Sequence, residues 1–197
     1  WWNHATEDLS VLNCIPGITI AAPSTKWETK MIFNKLIKFN GVSYLRLEKN
    51  ASSLIPNNKI LKIGRLNNYS KGSKLAIICV GGIFSECWKA VDKLRQNKIN
   101  ISLYTLSSLK PIDEKDLVKT LKKYRVILTV EENNFLGGLG STIAAIINKY
   151  SIKCKQNIVS TDDTTLKIVG DQKFLRKELK MDANSLISKI KKLINKF

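Results

Sequence analysis

This chain of 197 residues is poor in acid, with 16 Asp and Glu against 33 Lys and Arg, and it holds one histidine, four cysteines and four prolines. Cys14, Cys79, Cys87 and Cys154 are widely separated and form no C-x-x-C pair, so neither a zinc site nor a disulfide framework is indicated. They read as small buried residues of a reducing compartment, which suits a cytoplasmic protein. No apolar run approaches the roughly 20 residues of a membrane span, so no membrane contact is expected. The start, Trp1-Trp2-Asn3-His4, lacks an initiator Met, a basic n-region and an apolar h-region. It reads as cut from something longer, not as a signal peptide.

The net charge of +17 alone would suggest a polyanion partner. Its distribution argues otherwise. Lysines are spread over every expected helix, and the one dense run, 189–196, alternates with Ile190, Leu193, Ile194 and Phe197 at helical spacing. Arginine, the usual residue for bidentate phosphate and base contacts, is confined to Arg46, Arg65, Arg95, Arg125 and Arg176. No nucleic-acid partner is expected, and the Lys, Asn and Ile content suits an AT-rich genome.

Hydrophobic periodicity divides the chain. Leu9, Val11, Leu12 and Ile15 recur at helical spacing and Pro16-Gly17 stops them. A strand over 18–22 follows, then a helix capped by Ser24 or Thr25 and carrying Trp27, Met31, Ile32, Leu36 and Ile37, then a strand over 42–47. Between 48 and 73 the chain turns polar, with Pro56, Asn57-Asn58, Asn67-Asn68 and Lys71-Gly72 as turn signals around a short run at 60–63; this reads as a linker with one short β ribbon. From 74 strands and helices alternate: strands over 75–80, 101–106 and 126–130, helices over 84–97, 111–124 and 138–150, a fourth strand at Ile158-Val159, and two closing helices. Such alternation needs crossovers and gives a mostly parallel sheet covered by helices on both faces, an α/β fold.

Several motifs carry two readings each. Gly137-Gly138-Leu139-Gly140-Ser141 opens a helix and could cradle a phosphate. It fits neither G-x-G-x-x-G nor the P-loop, and Glu131-Glu132 just before it would repel phosphate, so a tight turn competes. Gly81-Gly82 carries the same pair of readings. Glu131 and Glu132 are adjacent in a strand and point to opposite faces; they cannot share a substrate as an acid/base pair, and a capping or interface role is expected. Leu109-Lys110-Pro111-Ile112-Asp113 reads as a loop entering a helix. His4 would have a suitable pKa as a general acid or substrate ligand, against the plain alternative of a surface residue. Arg46, at the end of an apolar strand, needs an anionic partner: a ligand phosphate or carboxylate, or an internal ion pair.

The ordered set of His4-Ala5-Thr6-Glu7-Asp8-Leu9, Ile15-Pro16-Gly17-Ile18-Thr19-Ile20-Ala21-Ala22-Pro23-Ser24, Tyr44-Leu45-Arg46, Ala76-Ile77-Ile78-Cys79-Val80-Gly81-Gly82, Leu109-Lys110-Pro111-Ile112-Asp113 and Val130-Glu131-Glu132-Asn133 with the glycine-rich run resembles the C-terminal section of transketolases and 1-deoxyxylulose-5-phosphate synthases. The resemblance spans nearly the whole chain. It implies that 1–47 is the end of a thiamine-diphosphate pyrimidine-binding domain, 48–73 a linker, and 74–197 a transketolase C-terminal domain.

The resemblance also implies transfer of a ketol unit between phosphosugars through thiamine diphosphate with Mg2+, in a homodimer or heterotetramer. The family's activating glutamate and Gly-Asp-Gly metal motif are not in this sequence. The chain alone is therefore expected to bind neither cofactor nor metal and to need an upstream cofactor-binding half. By the resemblance Asn3 takes the place of the family's substrate histidine, His4 the next position, and Arg46 that of the arginine binding the substrate's terminal phosphate. Asn3, His4 and Arg46 are the expected substrate-binding residues, with His4 the catalytic candidate. A 1-deoxyxylulose-5-phosphate synthase or the beta chain of a 2-oxo acid dehydrogenase is an alternative; the ending, Gly170-Asp171-Gln172-Lys173 onward, favours the transketolase and synthase over the latter. A non-catalytic assembly domain of the same fold is the alternative from another class.

Overall fold

A computed structural model describes residues 7–48, 51–57, 59–73, 75–162 and 168–195. The first part holds α1 (Asp8–Asn13), β1 (Thr19–Ala21), α2 (Lys26–Leu36) and β2 (Ser43–Leu45). There follow β3 (Leu66–Ser70), β4 (Ala76–Val80), α3 (Phe84–Gln96), β5 (Ser102–Leu106), β6 (Ser108–Lys110), α4 (Glu114–Leu121), β7 (Val126–Asn134), α5 (Leu139–Lys149), β8 (Lys155–Thr161), α6 (Gln172–Glu178) and α7 (Ala183–Ile194).

Four helix starts are written into the sequence as oxygen-bearing caps that satisfy free backbone N–H groups. Thr25 accepts from Glu28 N, Asp113 from Asp116 N, Asp171 from Phe174 N, and Asp182 from Asn184 N and Ser185 N. The larger sheet runs β3-β5-β4-β7-β8, parallel throughout except for β3, which closes one edge antiparallel to β5. Every residue of β4 is buried because both faces are covered. The pleat divides them: Ile77 and Cys79 join the core under α3 and α7, while Ala76, Ile78 and Val80 join the core under α4 and α5. The α/β architecture expected from the alternating pattern is the one observed.

Two local expectations are corrected. The strand of the polar connector is not the apolar run at 60–63 but Leu66–Ser70, which adds the edge strand to the main sheet and where the Tyr69 ring packs tilted against Phe84 with centroids 4.6 Å apart. Leu109 and Lys110, expected as loop, belong to β6, which pairs antiparallel with β1 to complete a three-stranded sheet β2-β1-β6. This strand welds the first part to the second, because its backbone groups find their partners there and nowhere within the larger sheet.

Candidate functional site

The carboxyl ends of β1, β2, β4 and β7 converge, the place where an α/β sheet offers room for a ligand. Backbone bonds mark the convergence: Arg46 N donates to the Ala21 carbonyl at 2.9 Å and Gly81 N to the Ala22 carbonyl at 3.1 Å. Arg46 Nη2 donates to the Glu132 carbonyl at 3.2 Å.

The first turn of α1 closes one side. Asp8 accepts from the Tyr44 hydroxyl at 2.7 Å and from Arg46 Nη1 at 3.3 Å. Burial, then the Asp8 carboxylate, pushes the Tyr44 hydroxyl up to about 12. Glu48 stands 3.6 Å from Arg46 Nε. Its side chain lies over Gly82, where a Cβ would sit 2.8 Å from the carboxyl group; the glycine permits that approach. Gly81-Gly82 is therefore a turn that admits an internal carboxylate. Arg46 is at the site and 19% exposed, and two carboxylates of its own chain attend it. An anion arriving there competes with Asp8 and Glu48 for the same guanidinium. Asn3 and His4 lie outside the described residues.

The acidic pair of β7 separates as strand geometry requires. Glu131 is fully buried and accepts from Leu139 N and Gly140 N, both at 2.7 Å, at the start of α5. Burial pushes its carboxyl up to about 7, while these bonds, Asn133 and Arg46 pull the other way. Glu132 turns away and takes Arg176 Nε at 2.6 Å and Nη2 at 2.7 Å. Glu131 thus caps the start of α5, and Glu132 pairs with an arginine of its own chain. The glycine-rich turn is thus filled by a carboxylate of its own chain, which supports the tight-turn reading over the phosphate cradle.

A second buried carboxylate was not singled out by the sequence pattern. Glu28 is wholly enclosed, accepting from Ser24 N at 2.7 Å, Tyr69 Oη at 2.8 Å, Asn67 Nδ2 at 3.1 Å and the Thr105 hydroxyl. Burial raises its pKa and the hydroxyl donors oppose that. A signal along the chain was Thr105, a polar residue between Tyr104 and Leu106 of β5. Among the described residues no group of three His, Cys, Asp or Glu side chains could hold a metal ion. With Glu131 filling the start of α5, that helix terminus does not fit a diphosphate.

The family described as "Transketolase, C-terminal domain" matches residues 64–185. A subunit of an apulose-4-phosphate transketolase of Actinobacillus succinogenes is 28% identical over 186 residues, 94% of this chain and 60% of that protein. A putative transketolase C-terminal section of Methanocaldococcus jannaschii is 27% identical over 80% of this chain and 50% of its own length. A 1-deoxy-D-xylulose-5-phosphate synthase of Magnetococcus marinus is 30% identical over 95% of this chain and 30% of its own. A solved structure described as "Split gene transketolase, inactive beta4 tetramer" superposes with a TM-score of 0.81 at 22% identity, covering 97% of this chain and 62% of that one. The chain spans 60% or less of the length of these curated relatives. Among the described residues no helix is long and apolar enough to cross a membrane.

Proposed function

This chain belongs to the transketolase family, matched over the family's C-terminal domain, and from that membership we propose that it is the C-terminal part of a cytoplasmic enzyme transferring a ketol unit between phosphosugars. Thiamine diphosphate with Mg2+ supplies the carbanion chemistry of such transfers. In this reading an upstream half, in the same polypeptide or a separate subunit of a homodimer or heterotetramer, carries both, because the family's activating glutamate and Gly-Asp-Gly metal motif are not in this sequence. The relatives' names support a two-part enzyme: one is a single subunit of a transketolase and another a C-terminal section.

The observation that carries the reading is Arg46, a guanidinium at the convergence of four strand ends. Its work is to hold the terminal phosphate of a sugar, displacing Asp8 or Glu48 or sharing its remaining N–H groups with the anion. Asn3 and His4 complete the substrate contacts in this proposal, His4 as the proton carrier. A 1-deoxyxylulose-5-phosphate synthase is the nearest alternative activity, given the third relative. The observation favouring the other class, a non-catalytic assembly domain, is that Arg46 already has Asp8 and Glu48 as partners.

The test combines the chain with the half that carries the cofactor and assays ketol transfer. Arg46→Ala is expected to raise KM for a phosphorylated acceptor at least about tenfold and to spare an unphosphorylated one. Equal losses on both would remove the phosphate role. No transfer with any phosphosugar would favour the assembly reading.

A further inference from the structure

The turn between β7 and α5 is a seat for α1. Ser10 Oγ donates to the Leu136 carbonyl at 2.5 Å and accepts from Asn133 Nδ2 at 2.7 Å. Asn13 Nδ2 donates to the Gly137 carbonyl at 2.9 Å and reaches Thr142 Oγ1 at 3.5 Å. The fit is close: a Cβ on Gly137 would stand 3.1 Å from Ser10 Cα. Lys110, from β6, holds the far end of α1 by donating to the Asn13 and Ile15 carbonyls. A helix of 6 residues has almost no stability of its own, so its place is set by these contacts and by the buried Leu9.

Beneath the seat lies Glu131. Its two oxygens take the Leu139 and Gly140 N–H groups, and a Cβ on Gly138 would collide with Oε2, so the turn is moulded onto this carboxyl. From α1 the chain of contacts goes on: Asp8 holds both Tyr44 Oη and Arg46 Nη1. We infer that Glu131 is a positioning residue, which keeps residues 135–138 shaped as the seat of α1 and, through Asp8, fixes the guanidinium of Arg46. The meaning of this for substrate rests on the reading of Arg46 as an anchor; the mechanical link rests on the contacts alone.

The charged group acting on Glu131 from neighbouring elements is Arg46 at the end of β2, itself attended by Asp8 of α1 and by Glu48. Its neighbours along β7 are Glu132, turned toward Arg176, and Asn133. A carboxyl whose folded pKa stands above its unfolded value stabilises the closed form fully below the unfolded value. That stabilisation is lost as pH rises through the folded one. Opening of the seat therefore becomes easier from about pH 5 to about pH 8.

Hydrogen exchange on this chain tests the link without cofactor or substrate. In Glu131→Gln, peptides covering 7–13, 43–48 and 139–142 are expected to exchange at least about tenfold faster, with those of α3 and α7 unchanged. In the Ser10→Ala, Asn13→Ala double variant, 7–13 and 43–48 speed up and 139–142 does not. After correction for intrinsic rates, 7–13 in the natural chain is less protected at about pH 8 than at about pH 5, and Glu131→Gln loses that difference. Unchanged exchange at 43–48 in the double variant overturns the route to Arg46. If Glu131→Gln does not fold, a pH-independent α1 in the natural chain overturns the role of Glu131. Neither result touches ketol transfer, and a failed transfer assay leaves this link standing.

Discussion

Arg176 of α6 and Glu132 of β7 meet in a two-pronged ion pair, Nε to Oε1 at 2.6 Å and Nη2 to Oε2 at 2.7 Å. The pair is mostly buried, with side-chain exposures of 10% and 18%, and Arg176 Nη1 also reaches Ser85 Oγ at 3.3 Å. It fastens the C-terminal helices to the end of the strand that carries Glu131. Removing one partner strands the other charge in a poorly solvated place. Arg176→Ala is expected to cost about 3 kcal/mol in urea unfolding. Replacing both residues by apolar ones of similar volume should cost much less. A double change that costs the sum of the two single changes would show that the pair carries no coupling.

Stability should fall with rising pH through Glu28. Burial holds its carboxyl above the ordinary 4.5, so its contribution is complete below that value and is lost as pH rises through the folded one. The natural chain should therefore lose urea resistance as pH rises above about 4.5. Glu28→Gln should lose less over the same range. A parallel decline in the two proteins would assign the pH dependence elsewhere.

Gly138→Ala should be poorly tolerated for lack of space. Its Cβ would collide with Glu131 Oε2 and lie 2.6 Å from Asn133 Nδ2 and 2.8 Å from the Asn134 carbonyl, and the backbone member of that set cannot swing away. A loss of about 2 kcal/mol or more in thermal or urea unfolding is expected, in the range of overpacked buried sites. A change under about half a kcal/mol would mean that the turn relaxes easily.

Asp8→Asn should free Arg46 for anions. The substitution removes a carboxylate that now takes Nη1 at 3.3 Å while keeping the shape of the side chain. Binding of inorganic phosphate, followed by calorimetry at low salt, should tighten several-fold relative to the natural chain and weaken again as salt is added. Arg46→Ala in the same background should abolish the gain. Identical phosphate binding in all three proteins would locate any anion site away from Arg46.

Much of this was legible along the chain because it depends on near neighbours. The helix caps at Thr25 and Asp113 are short-range chemistry, and the apolar runs of β4 and β7 need only a sheet covered on both faces. The opposite directions of Glu131 and Glu132 follow from the strand's two-residue period. The succession of short motifs was enough to show the family.

Pairings between residues distant in sequence were beyond its reach. That Leu66–Ser70 becomes the edge strand, and Ser108–Lys110 a strand shared with β1, depends on which backbone edges are left open once the larger sheet has formed. Glu28 looked like an ordinary helix residue until Tyr69, Asn67 and Thr105 were brought around it. Arg46 announced its need for an anion; only folding could supply Asp8 from α1 and Glu48 from the connector as its partners. Local propensity acts over a few residues, whereas the meeting of charges is settled by how whole elements pack.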